Sequence, residues 1–267
     1  MSASRRRAKS SACAPKEGVQ LSLFAMEVSP FKLNMYRECP RRYKFHYIDG
    51  LSRIYRKPRP YLILGESVHA TLFSFFSLPP SHRSPEKLEL LFWEHWKKRR
   101  WLFPSREEEE RWQSRALAQV KLFAREHDLR AAPFILEEYH QVPLTSDVIL
   151  GGKIDRADWE EGGLHVIDYK TGGEPGDNDR RQLWLYVLIL EKEGFKVRRA
   201  SIFHLETGKI FTSLPDERAL EEAERWVLET AESIREDKEF APQPGRHCAS
   251  CDFLPICFSG QEALISK

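Results

Sequence analysis

Three strand-like segments in a row, Phe134–Leu144, Val148–Trp159 and Leu164–Tyr169, constrain this chain more than any other feature. They are separated only by Thr145-Ser146-Asp147 and by Glu160–Gly163. Links that short join neighbouring antiparallel strands. Arg180–Glu193 follows as an apolar helix, then Val197–Leu205 and Lys209–Leu214 as a strand pair around Glu206-Thr207-Gly208, then a charged amphipathic helix over Pro215–Glu239. The expected fold is therefore α/β, with a mixed sheet centred on 134–214.

Upstream the periodicity is helical. Residues 30–47, Leu62–Phe76, 85–100 and 105–129 read as helices, and Gly65 and His69 stand four apart on one helix face. Four stretches result: a flexible leader at 1–29, a helical part at 30–132, a core at 133–240 and a Pro- and Cys-rich knot at 241–260. The chain of 267 residues is 41% hydrophobic and 31% charged, which suits a globular protein. It contains no apolar run of membrane-spanning length, and its basic N-terminus lacks the apolar stretch of a secretory signal. A cytoplasmic protein without a membrane partner is expected. The net charge of +2 says little, although basic clusters at Arg53 to Arg59, Lys97–Arg100 and Arg180–Arg181 would suit the border of a nucleic-acid groove.

The candidate chemistry lies on two adjacent strands, Gly152-Lys153-Ile154-Asp155-Arg156 and Val166-Ile167-Asp168-Tyr169-Lys170. Alternate residues share a strand face, so Asp168 and Lys170 project together while Ile167 and Tyr169 point into packing. The turn at 160–163 brings Asp155 alongside. Hard carboxylate oxygens hold Mg²⁺ or Mn²⁺, which lowers the pKa of a bound water. A neighbouring ammonium can position that water or stabilise charge. Glu137 and Glu138 on the first strand read as surface ion-pair residues. Asp158 falls on the opposite strand face and Asp177 in a loop, so neither joins the site.

In this order and context the motifs resemble the PD-(D/E)XK nuclease superfamily, and more narrowly its RecB-like exonuclease branch. That branch carries a helical G-x-x-x-H, matched by Gly65–His69, and a Q-x-x-x-Y after the lysine strand, matched by Gln182–Tyr186. Many relatives have Glu where this chain has Asp168; the pattern admits both. The resemblance spans residues 30–260. It implies a restriction-endonuclease-like core, His69, Asp155 and Asp168 as metal ligands, and Lys170 as the residue that positions or activates water. Gln182 and Tyr186 would then contact substrate or orient Lys170.

Five cysteines are present. Cys248, Cys251 and Cys257 form C-x2-C-x5-C, and Cys39 is the remaining candidate outside the leader, where Cys13 lies. Four thiolates suit zinc or an iron–sulfur cluster. The spacing is similar to that of the AddB-type and CRISPR-associated adaptation nucleases, which implies a 4Fe-4S cluster that ties the helical part to the C-terminus. DNA hydrolysis at single strands or ends, in repair or recombination, is the expected activity. The alternatives are trimming of spacer precursors and non-catalytic binding of DNA ends. A separate helicase or a CRISPR integrase is the implied partner. Tyr36, Tyr43 and Trp184 are candidate base-stacking residues.

Overall fold

The computed structural model describes residues 22–55 and 57–265. Most of the expected leader lies outside them, but its last residues do not. Met26–Val28 forms strand β1, and Ser29 caps helix α1 (Pro30–Glu38) by accepting from the Lys32 N–H. Three residues are too few to show a period-two pattern, so β1 left no signal in the sequence.

The helical part continues through α2 (Pro40–Tyr43), a π-helical turn at Lys44–Ile48, α3 (Ser52–Tyr55), α4 (Pro60–Phe76), α5 (Pro85–Lys97) and α6 (Arg106–Glu126). Helix α4 opens with proline, whose missing N–H costs nothing in a first turn. Helices α5 and α6 are capped by the Ser84 and Ser105 hydroxyls. The core then runs β2 (Pro133–Pro143), β3 (Val148–Glu160), β4 (Gly163–Lys170), α7 (Asp177–Lys192), β5 (Val197–His204), β6 (Lys209–Ser213) and α8 (Glu217–Glu236). Helix α7 starts three residues before Arg180, where the sequence reading began it, because the Asp179 carboxylate accepts the Gly176 N–H and closes a first turn. The chain ends in two 3-10 turns and α9 (Phe258–Ile265).

The sheet is mixed. β2 and β4 flank β3 as antiparallel partners, β4 pairs β5 in parallel, and β6 closes the edge against β5. Strand β1 lies parallel to the first residues of β3, on the side that β4 later occupies. One face buries Ile154, Val166 and Ile202 under α1, α7 and α8. The other buries Ile167, Tyr169 and Phe203 under α4, α5 and α6. Each aliphatic side chain so buried contributes about 1.5–3 kcal/mol. No helix among the described residues is long and apolar enough to cross a membrane.

One local feature positions the site. The β3–β4 ladder begins at Glu160–Gly163 and ends at Arg156–Ile167. One step further, at Asp155 and Asp168, the two strands part. The freed Tyr169 N–H donates instead to the Asp155 carboxylate, 2.8 Å away.

Candidate active site

The two hairpins align three acids. In the β2–β3 register, Leu136 pairs with Arg156 and Glu138 with Ile154, so Glu137 stands opposite Asp155. Asp155 in turn stands opposite Asp168 at the parting of β3 and β4. Helix α4 belongs to the layer on the other face, yet its His69 reaches this point. His69 Nδ1 lies 3.2 Å from Glu137 Oε1 and 3.5 Å from Asp155 Oδ1. Its Nε2 lies 3.2 Å from the Tyr169 carbonyl oxygen, which can only accept. Among the described residues, His69, Glu137 and Asp155 place potential ligand atoms within 4.8 Å of one another.

Asp168 sits beside that trio. Its Oδ2 is 3.0 Å from Lys170 Nζ but accepts no hydrogen bond, and its Oδ1 accepts from Gln182 Nε2 at 3.3 Å. Lys170 Nζ also contacts Gln182 Oε1 at 3.0 Å and Asp179 Oδ1 at 3.2 Å. Gln182 Nε2 donates to the Tyr186 hydroxyl at 2.6 Å. The glutamine and tyrosine of the helix motif therefore form the brace behind the lysine. All these groups, Tyr186 excepted, line one cleft of about 870 Å³.

The electrostatics are those of a site that gathers negative charge away from water. Burial pushes the Asp168 carboxyl up to about 7, with the Lys170 ammonium opposing the shift and the Asp155 charge adding to it. Burial also works to raise Asp155, but the His69 charge and the Tyr169 N–H hold it below its ordinary value. Burial disfavours the His69 imidazolium, yet Asp155 and Glu137 together hold its pKa well above the usual histidine range. Lys170 is likewise raised: burial lowers it, and Asp168 and Asp179 more than offset that. A metal ion ligated here must displace the imidazole proton, so its apparent affinity rises with pH.

A family model of the PD-(D/E)XK nuclease superfamily matches residues 27–258, most of the chain. The chain belongs to the PD-(D/E)XK nuclease superfamily. Among solved structures it is similar to one titled "Crystal structure of SSO0001", at 16% identity and a TM-score of 0.45, over 88% of this chain and 86% of that one. No curated protein matched the chain.

Nucleases of this superfamily use divalent metals, and the residues present fit one. The ligand atoms of His69, Glu137 and Asp155 are close enough to share an ion, and Asp168 Oδ2 is a buried oxygen that accepts no hydrogen bond, with the Lys170 ammonium 3.0 Å away. Glu137 corrects the sequence reading, which had placed it on the surface. It is largely buried, reaches His69 with one oxygen and Lys153 Nζ with the other at 2.6 Å, and has a positive φ of 50°. Strain of that kind costs about 1–3 kcal/mol and collects at functional sites. Asp179 was missed too, because α7 begins earlier than its apolar run. The exclusion of Asp158 holds, since it pairs with Arg156 on the far face.

The motif glycines of this nuclease have steric reasons. A Cβ on Gly65 would stand 3.2 Å from Thr171 Oγ1, so glycine lets α4 approach the loop that follows Lys170. A Cβ on Gly152 would meet the Tyr186 ring at 2.7 Å. Gly152→Ala should therefore destabilise the fold by about 1–3 kcal/mol. A thermal melt should show a loss of about 3–10 °C; an unchanged melting temperature would contradict this packing.

At the other end of the nuclease, Cys39, Cys248, Cys251 and Cys257 line one small cavity with Arg42, Phe45 and Phe253. All four thiols are free. Phe253 packs against Phe45, His46 and Tyr55, which docks the C-terminal knot onto the π-helical turn and α3. Asp252 Oδ1 accepts from Arg59 Nη2 at 2.7 Å, next to the first turn of α4. The four cysteines singled out in the sequence thus line one cavity.

Proposed function

We propose that this nuclease is a Mn²⁺- or Mg²⁺-dependent deoxyribonuclease of the RecB-like branch, acting as an exonuclease on single-stranded DNA or DNA ends in repair or recombination. The carrying observation is the meeting of an imidazole from α4 with carboxylates from three strands, beside a lysine. The brace of Gln182 and Tyr186 behind that lysine supports the RecB-like assignment.

His69, Glu137, Asp155 and Asp168 are the residues that would hold the ion. When bound, the ion supplies a more acidic water and offsets charge that builds on the phosphate. Lys170 keeps its proton at neutral pH and presents a positive charge at the mouth of the site. That charge orients an attacking water and stabilises the pentavalent phosphate. Gln182 and Asp179 fix the direction of the ammonium, and Tyr186 fixes Gln182. The Tyr169 N–H holds Asp155 in place.

The four cysteines are proposed to hold a structural 4Fe-4S cluster. The gathering of Cys39, Cys248, Cys251 and Cys257 around one small cavity supports this reading.

End-labelled single- and double-stranded DNA incubated with Mn²⁺ provides the test. Stepwise shortening of single strands, stopped by a chelator, is expected. Failure to cleave any DNA with either Mn²⁺ or Mg²⁺ would contradict the reading.

A further inference from the structure

Helix α4 carries a stripe at intervals of four residues: Tyr61, Gly65, His69 and Phe73. Residues so spaced share a helix face. His69 looks onto the carboxylates and Gly65 onto the loop after Lys170, so Tyr61 and Phe73 extend the same face to either side of the carboxylate cluster. Both line the cleft. Both rings are exposed, Tyr61 by 51% and Phe73 by 43%. Neither belongs to a core cluster. At a rise of about 1.5 Å per residue, Phe73 stands about 6 Å along the helix from His69 and Tyr61 about 12 Å the other way.

Two arginines complete this wall. Arg99, just past α5, and Arg115, on α6, both line the cleft. Arg115 lies over the Trp112 ring at 5.3 Å and pairs with Glu206, while Arg99 pairs with Glu66 at 3.5 Å. These pairs are partly exposed, so each is worth little and a phosphate can compete for the guanidinium. The stacking residues expected from sequence are not part of the wall. Tyr36 and Tyr43 are buried in the core, and Trp184 packs on the outer side of α7 against it.

We propose that this wall is a binding subsite for unpaired nucleotides, with Tyr61 and Phe73 stacking bases on either side of the scissile phosphate and Arg99 and Arg115 receiving flanking phosphates. Bases stacked inside a duplex cannot offer their faces to these rings. The wall thereby selects single strands and frayed ends, and intact duplex is excluded. This rests on the nuclease reading for the position of the scissile phosphate, but binding can be measured without cleavage.

The test is fluorescence anisotropy of the full chain with a labelled oligothymidylate and a duplex of equal length, in Ca²⁺. Wild type should bind the single strand at least about tenfold more tightly than the duplex. Tyr61→Ala/Phe73→Ala should lose at least about tenfold in single-strand affinity. Phe73→Trp should retain affinity and Phe73→Leu should not, which separates stacking from bulk. Mn²⁺ affinity, read by electron paramagnetic resonance, should be unchanged in these variants. Arg99→Ala and Arg115→Ala should each reduce the salt slope of single-strand binding by about 0.7. Equal affinity for duplex and single strand, or full single-strand affinity in the double variant, overturns the proposal. Selective single-strand binding without any cleavage in Mn²⁺ would uphold the wall and refute the nuclease.

Discussion

Replacing Lys170 by alanine, or Asp168 by asparagine, should slow Mn²⁺-dependent DNA cleavage by about 10²–10³-fold, comparable to loss of a principal electrostatic group in other enzymes. The two changes act differently. Lys170→Ala removes the positive charge that faces Asp168 and Asp179 and the donor to Gln182 Oε1. Asp168→Asn keeps the shape and the contact with Gln182 but weakens the hold on a cation. The asparagine variant also yields a stability result that a broken fold would not. Burial raises the Asp168 carboxyl from about 3.8 to about 7, opposed by Lys170. In the metal-free chain, ionising it therefore costs stability. The cost builds as pH rises from near 4 to about 7 and is complete above that. Asp168→Asn removes the cost, so its melting temperature above pH 7, without metal, should equal or exceed that of wild type. Normal cleavage by either variant would refute the site assignment, and an unfolded asparagine variant would refute the electrostatic account.

The second large effect concerns the cysteines. With the proposed cluster, the wild-type protein purified under anaerobic conditions should be brown, and Cys39→Ser should hold little iron and lack that colour. Cys39 lies near the start of the described chain and the other three near its end, so the proposed cluster would close almost the whole fold. By analogy with covalent cross-links, closing so long a loop is worth about 4–5 kcal/mol. At about 2–4 °C per kcal/mol, the melting temperature should fall by about 10–20 °C. The knot formed by residues 241–260 should loosen first. The Arg59–Asp252 pair, at the start of α4, should then slacken and carry the disturbance toward His69. Metal analysis and a melt check this together. A colourless wild-type protein with one zinc, or a Cys39→Ser variant that keeps its iron, would contradict the cluster.

Asp155, Asp168 and Lys170 were legible because short turns leave strands little freedom: once the register is set, which groups meet is arithmetic. The same arithmetic reaches Glu137. It and Asp155 are equally distant from Ser146, the middle of the β2–β3 turn, so a symmetric hairpin sets them opposite each other. What hid Glu137 was its neighbour. With two adjacent glutamates, strand alternation alone does not say which one faces inward, and the positive φ at Glu137 departs from regular strand geometry. Asp179 was hidden because the first turn of α7 is polar and held by a side-chain cap. Cys39 was singled out by elimination, and the fold brings it into one cavity with the other three cysteines. The parting of β3 and β4 was not, because it depends on the Asp155 carboxylate replacing a strand partner for the Tyr169 N–H.

Titration of the metal-free chain with Mn²⁺, followed by the loss of the free-ion paramagnetic resonance signal, tests the gathering of His69, Glu137, Asp155 and Asp168 around one cation. Wild type should show a tight site. Asp155→Asn should abolish it, and Glu137→Gln should weaken it by about 10–100-fold. Undiminished Mn²⁺ binding by Asp155→Asn would contradict the account.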